Sequence, residues 1–309
     1  MSGFFCVTTF SFLRKHICIR RFTAMKINSL TFELLRNKWL IDTANLPEYE
    51  RLANRFLSGE KVGEAIDRKD FHASYMGTSA ASVSQAKKMI GHLQMIGPMT
   101  AYGDFCTLGA ADYLEALRKM NNDESVSAVV LSIDGPGGAV PAINAFRDFA
   151  LEKKKPIVVL ANQLCSLHYW LSALLADHIM ANGTVSPCIG SIGAMCMMVD
   201  ARERMQKEGY KVMIINAPGS ELKNKAAQDF YAGKDDEFIA RIEAELLPIK
   251  EEFHADVKAA RPNISADERV WSADTFNAKE ALQLGLIDSI GNEKKAFELA
   301  AALAELEDK

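Results

Sequence analysis

The stretch "VSAVVLSIDGPGGAV", residues 126–140, limits the fold of this chain more than any other. Its first eight residues are nearly all apolar and do not alternate with polar ones, which is the pattern of an inner strand covered on both faces. The run then meets Asp134, Gly135, Pro136, Gly137 and Gly138 and passes straight into a helical pattern over 139–153. Gly and Pro punctuate chains, so a tight turn alone would account for the junction. Backbone N–H groups at such a place also bind anions, either a phosphate or the oxyanion of an acyl-transfer intermediate. A phosphate loop carries a Lys-Ser/Thr pair after its glycines, whereas Ala139 and Val140 stand here.

The same alternation extends on both sides. Residues 90–99 read as a strand, 108–123 as a helix, and 156–162 as a strand followed by a helix. "MCMMVD" (195–200) and "YKVMIINA" (210–217) read as further strands around the helix "ARERMQKEG" (201–209), and 226–261 as a long surface helix or a pair. Residues 271–290 give a short strand and the helix "AKEALQLGL", with Gly285 at its end. Strands alternating with helices predict an α/β domain with a largely parallel sheet. Residues 26–75 read as helix-rich, with "LPEYERLANRFLSGE" (46–60) amphipathic, and 76–89 as a linker.

Composition narrows the function. With 309 residues, 49% of them hydrophobic and 25% charged, the chain can bury a sizeable core. A net charge of -4 without a basic stripe disfavours nucleic-acid binding. Six cysteines and six histidines show no metal-ligand spacing, so neither a metal nor another cofactor is expected, and a reducing compartment is. No apolar run reaches the length of a membrane span, and the location expected is the cytoplasm. Residues 1–24 mix a short apolar run with Arg14, Lys15, Arg20 and Arg21 in the reverse order of a secretory signal. They are expected to be an upstream extension ahead of Met25.

Two residue types could react. Ser166 opens the helix after the strand at 156–162, where a serine ordinarily serves as an N-cap but can also be a nucleophile. Lys223 and Lys225 follow the strand at 210–217 in a polar turn. A lysine made neutral by burial can take a proton from a serine without a histidine. His168 lies two residues along the same helix and should point away from Ser166, and His178 reads as a helix end.

The order DGPGG, Ser166 with Tyr169 three residues on, "ADHIMA", "IGSIGA", "SELKN" and "WSADTFNAKEALQLGLIDSIG" resembles the signal peptide peptidase A family of serine–lysine peptidases. Within that family it is most similar to the phage capsid or prohead (head-maturation) proteases. The resemblance covers about 90–300 and implies a ClpP/crotonase-like spiral of β-β-α units. Outside it lie a helical N-terminal region and linker over 25–89 and a C-terminal tail at 301–309. It further implies Ser166 as nucleophile and Lys223 as base, the latter through the family's Ser-x-x-Lys-Asn turn. Gly137, Gly138 and the N–H of Leu167 would form the oxyanion hole, and Ser191 would orient the lysine. The substrate implied is a protein or peptide, such as a phage scaffold or capsid protein, handled by a ring-like homo-oligomer. Gly135, Leu167 and His168 depart from the family pattern, which has a serine or asparagine-type residue at the first place and small ones after the nucleophile. Signal-peptide or general protein turnover, a crotonase-like acyl-CoA enzyme and an inactive assembly protein are the other readings, although neither a crevice carboxylate nor a CoA-binding basic patch is evident.

Overall fold

The computed structural model of the chain describes residues 39–41, 74–77, 89–103, 108–198 and 200–307. Five strands run parallel: β3 (Met89–Ile96), β4 (Val126–Gly135), β6 (Ile157–Cys165), β7 (His178–Asn182) and β10 (Ser289–Gly291). Their spatial order is β10-β7-β6-β4-β3, and β2 (Ser74–Gly77) adds antiparallel to the outer side of β3. The central strands are buried on both faces, which explains their unbroken apolar sequence. Val129, Leu131 and Ile133 of β4 point to one face with Val159 and Ala161 of β6. Ala128 and Val130 point to the other with Val158 and Leu160.

Helices cover both faces. On the first lie α1 (Ala110–Asn122), α2 (Ile143–Glu152) and α3 (Leu167–Leu175), contributing Leu117, Phe146 and Trp170 among others to the larger core. Beyond α4 (Arg202–Lys207) and α5 (Lys225–Tyr231), the long α6 (Asp235–Ala260) lies on this layer. Phe253 of α6 stacks on Trp170 with centroids 4.5 Å apart. Asp256 accepts hydrogen bonds from the Trp170 indole at 2.7 Å and from Arg147 of α2 at 3.1 Å, tying three helices together. The short α7 (Glu268–Trp271), β9 (Thr275–Asn277) and α8 (Ala278–Gln283) follow. The opposite face is covered by α9 (Glu293–Glu307), whose Ala296, Ala300 and Ala304 recur every four residues and sit on the sheet.

The architecture is thus the expected α/β fold with a parallel sheet, and β4, the short β5 (Gly137–Ala139) and α2 follow one another as a β-β-α unit. Several details differ from the sequence reading. Neither the described residues of 195–200 nor 210–217 form a strand, and Tyr210, Met213 and Ile215 are exposed. The place beside the end of β6 is taken by β8 (Cys188–Gly190), and β9 lies on the other side of β8. The residues read as a C-terminal tail continue α9 to Glu307. In the N-terminal region the described residues are the strands β1 (Trp39–Ile41) and β2, so 76–77 belong to a strand instead of a linker. The amphipathic helix read at 46–60 lies outside the described residues. No helix among them is long and apolar enough to cross a membrane.

Candidate active site

Three strand ends converge at one edge of the sheet. Gly135 of β4 pairs with Leu164 of β6, while Leu164 and Cys165 pair with Ile189 and Gly190 of β8. Parallel strands deliver their working groups at their carboxyl ends, and the chain turns sharply there each time: at Pro136, Ser166 and Ser191.

Ser166 is the single residue between β6 and α3. Its backbone has φ 54° and ψ −118°, outside both helical wells. Its N–H donates to the Gly190 carbonyl at 2.9 Å, and its own carbonyl accepts from the Trp170 N–H at 2.9 Å, which fixes the turn. The side chain makes no capping hydrogen bond, so the ordinary work of a serine at this position is not being done. A non-glycine residue held there costs about 1–3 kcal/mol, and such strain collects at functional sites. Four non-glycine residues have positive φ among those described; they include Ser166, Ser191 and Asn224, the neighbour of Lys223. Ser191 follows the residue that accepts from Ser166, and its N–H donates to the Asp274 carbonyl at 2.8 Å.

The glycine turn and α3 face each other, joined by a residue that the sequence reading sent elsewhere. His168 is fully buried, and its Nδ1 accepts from the Gly137 N–H at 3.0 Å. With Nδ1 accepting, the ring proton sits on Nε2, which is buried without a hydrogen-bond partner among the described residues. Burial lowers the His168 pKa to about 3, so the ring is neutral. Gly135 makes room for it, because a Cβ there would lie 2.4 Å from Cε1 of His168. Gly135 and His168, two of the three residues that depart from the pattern the resemblance implies, thus share one volume, the imidazole filling the place that a side chain at Gly135 would take. The pair of unusual residues was the available signal. His178, read as a helix end, begins β7 instead and lies 2.7 Å from Ser289 Oγ through Nε2.

The three N–H groups named for the oxyanion hole differ in their engagement. Leu167 is the first residue of α3, where an N–H has no intrahelical acceptor, and none is found among the described residues. Gly137 N–H is held by His168. Gly138 lies in β5, packed so tightly on Met99 that a Cβ would meet its carbonyl oxygen at 2.1 Å.

Lys223 is exposed, and no hydrogen bond links its amine to Ser166 among the described residues. Its backbone is fixed: its N–H donates to the Ser220 carbonyl at 3.0 Å, and its carbonyl accepts from Gln228 at 2.6 Å. Lys225 is committed elsewhere, because its amine pairs with Asp229, a buried carboxylate that also takes Arg241 at 3.1 Å. These cations hold the Asp229 pKa below the usual carboxylate range.

The model of peptidase family S49 matches residues 150–307, a span that includes Ser166, Ser191 and Lys223. The Na(+)/H(+) antiporter NhaA of Brucella abortus is 30% identical over 191 residues, covering 60% of this chain and 25% of that protein. Protease 4 of Haemophilus influenzae is 29% identical over 199 residues, covering 60% of this chain and 30% of that protein. The chain thus spans about a quarter to a third of the length of these relatives. Among solved structures, a 1510-N membrane-bound stomatin-specific protease variant aligns with TM-score 0.42 and 15% identity, over 69% of this chain and 79% of that one.

Proposed function

The chain belongs to peptidase family S49, and from that premise we propose that it is a serine endopeptidase in which Ser166 is the nucleophile and Lys223 the general base. One observation carries the reading: Ser166 stands at φ 54° on the sharp strand-to-helix turn, with no capping bond to explain it. A nucleophile on such an elbow stands beside the first N–H of the helix, and Ser166 is buried there.

The chemistry follows from the groups in place. Ser166 gives its hydroxyl proton to the neutral amine of Lys223 as Oγ bonds to the scissile carbonyl carbon. The developing oxyanion is held by the N–H of Leu167 and by the glycine turn at Gly137 and Gly138. The C–N bond then breaks, and the lysine passes the proton to the leaving amine. Water resolves the acyl-serine ester by the same proton path in reverse. Since His168 occupies the Gly137 N–H, the resting site is closed, and substrate engages that donor by displacing it.

The commitment of Lys225 to Asp229 favours Lys223 as the base, with Ser191 orienting it from the neighbouring turn. A lysine must lose water to act as a base. Lys223 lies beyond an exposed apolar segment that includes Met213 and Ile215. A second copy covering that segment would desolvate the lysine and complete the dyad, which makes the working unit a homo-oligomer, in keeping with the ring the motif order implies. Substrates are extended or unfolded polypeptides in the cytoplasm, and the "SELKN" turn points to phage head scaffold or capsid proteins among them.

The test is hydrolysis of fluorescein-labelled β-casein by wild type, Ser166→Ala, Lys223→Ala and Lys225→Ala. The first two substitutions are expected to remove activity by on the order of 10⁴-fold or more, and the third to leave most of it. Cleavage by Ser166→Ala at the wild-type rate would sink the proposal. Loss in Lys225→Ala alone would move the base to that residue.

A further inference from the structure

Two sulfur atoms meet one residue away from the candidate nucleophile. Cys165 is the last residue of β6, bonded directly to Ser166, and Cys188 is the first of β8. Gln163 lies opposite Cys188 in the parallel pairing, and side chains alternate along a strand, so Cys165 and Cys188 take diagonal places on one face. Both are thiols. Their Sγ atoms are 3.8 Å apart, and the Cys165 thiol also donates to the Cys188 carbonyl at 3.4 Å.

The two differ in access. Cys165 is buried, whereas Cys188 is partly exposed, so a small peroxide reaches Cys188 first. The Cys188 thiolate attacks one peroxide oxygen, the O–O bond breaks, and the products are a sulfenic acid and hydroxide. Cys165, already beside it, then attacks that sulfur: the S–S bond forms, the S–O bond breaks, and the thiol proton leaves with the hydroxyl as water. The pair of thiols is oxidised by two electrons and the peroxide is reduced by two. Position gives the bond its consequence. The Ser166 N–H donates to the Gly190 carbonyl at 2.9 Å, so the two strand ends that carry the sulfurs also hold the turn of the nucleophile. Bonding requires the sulfurs to close from 3.8 Å to about 2 Å, which shifts one strand end against the other. A displacement of about 1 Å at a reacting group costs on the order of 100-fold in rate.

We propose that Cys165 and Cys188 are a peroxide-sensitive modification site, forming a reversible disulfide that switches the peptidase off by displacing Ser166. The switching rests on the reading of Ser166 given above; the bond itself does not. A disulfide in a reducing compartment is ordinarily transient and serves sensing or catalysis, which suits a bond that opens again once thiols reduce it.

The test treats the full chain with hydrogen peroxide at about pH 8, where thiols are partly ionised, and compares wild type with Cys188→Ser and Cys196→Ser. After the remaining thiols are blocked, the protein is denatured and cut with chymotrypsin at Tyr169 or Trp170, between the two cysteines. Wild type should yield a linked peptide pair that dithiothreitol separates. The link should persist in Cys196→Ser, which keeps both partners, and vanish in Cys188→Ser. Hydrolysis of fluorescein-labelled β-casein by wild type should fall about 100-fold on oxidation and return with dithiothreitol, while Cys188→Ser should keep its activity through the same treatment. Oxidised wild type without the link, a link made to Cys196 instead, or full activity with the link formed would overturn the inference. A link formed as expected in a protein that hydrolyses no casein even when reduced would support the bond and contradict the serine assignment alone.

Discussion

Gly135 and His168 divide one small volume, and its consequences are measurable. Adding a methyl at Gly135 brings it to 2.4 Å from the imidazole and 2.8 Å from the Gly97 carbonyl, so Gly135→Ala should destabilise the fold by about 1–3 kcal/mol. Combining it with His168→Gly should recover part of that loss, the contact with Gly97 remaining; a double-mutant cycle in urea checks the coupling. His168 also carries a pH signature. Its folded pKa, about 3, lies below the ordinary 6.5, so in acid the unfolded chain takes up the proton first. The stability this contributes is complete above pH 6.5 and drains away as pH falls toward 3. His92, His178 and His254 are pushed the same way by burial and add to the slope. The urea midpoint should therefore decline through this window, and less steeply in His168→Asn, which keeps an acceptor near the Gly137 N–H; an equal slope in both proteins would refute the assignment.

Within α3 the buried Ser172 hydroxyl has no hydrogen-bond partner among the described residues. Ser172→Ala removes that unpaired group and improves helix propensity, so thermal unfolding should occur at the same or a higher temperature, with a gain of up to about 1 kcal/mol. At this scale the sequence was informative wherever structure is local. The covered strands β4 and β6 and the helix α1 follow from apolar runs and from three-and-four spacing. The end of β6 does not: the strand reads as ending at Asn162, yet Gln163 to Cys165 stay extended because they pair with β8, some twenty-five residues later. Residues 210–217 mislead for the converse reason, having strand composition but no strand partner among the described residues, with Tyr210, Met213 and Ile215 exposed. Ser166 and the glycine turn were legible as facing junctions of neighbouring strands. The imidazole between them was not, since only the missing side chain at Gly135 leaves it room.

For the molecule as a whole, an apolar segment in solvent next to the candidate base argues for a partner surface. Wild type should sediment as an oligomer, and Ile215→Asp should shift it toward monomer and lower casein hydrolysis together; a monomeric wild type with full activity would show that the dyad closes within one chain. His168 holds the Gly137 N–H, β1 pairs with β5, and the functional account depends on the serine at φ 54°. The most direct check is to treat the folded protein with a fluorophosphonate and locate the adduct by peptide mass. The account predicts a single modification on Ser166 that is abolished by Ser166→Ala and by prior unfolding. A wild-type protein that stays unmodified, or an adduct that persists in Ser166→Ala, would contradict it.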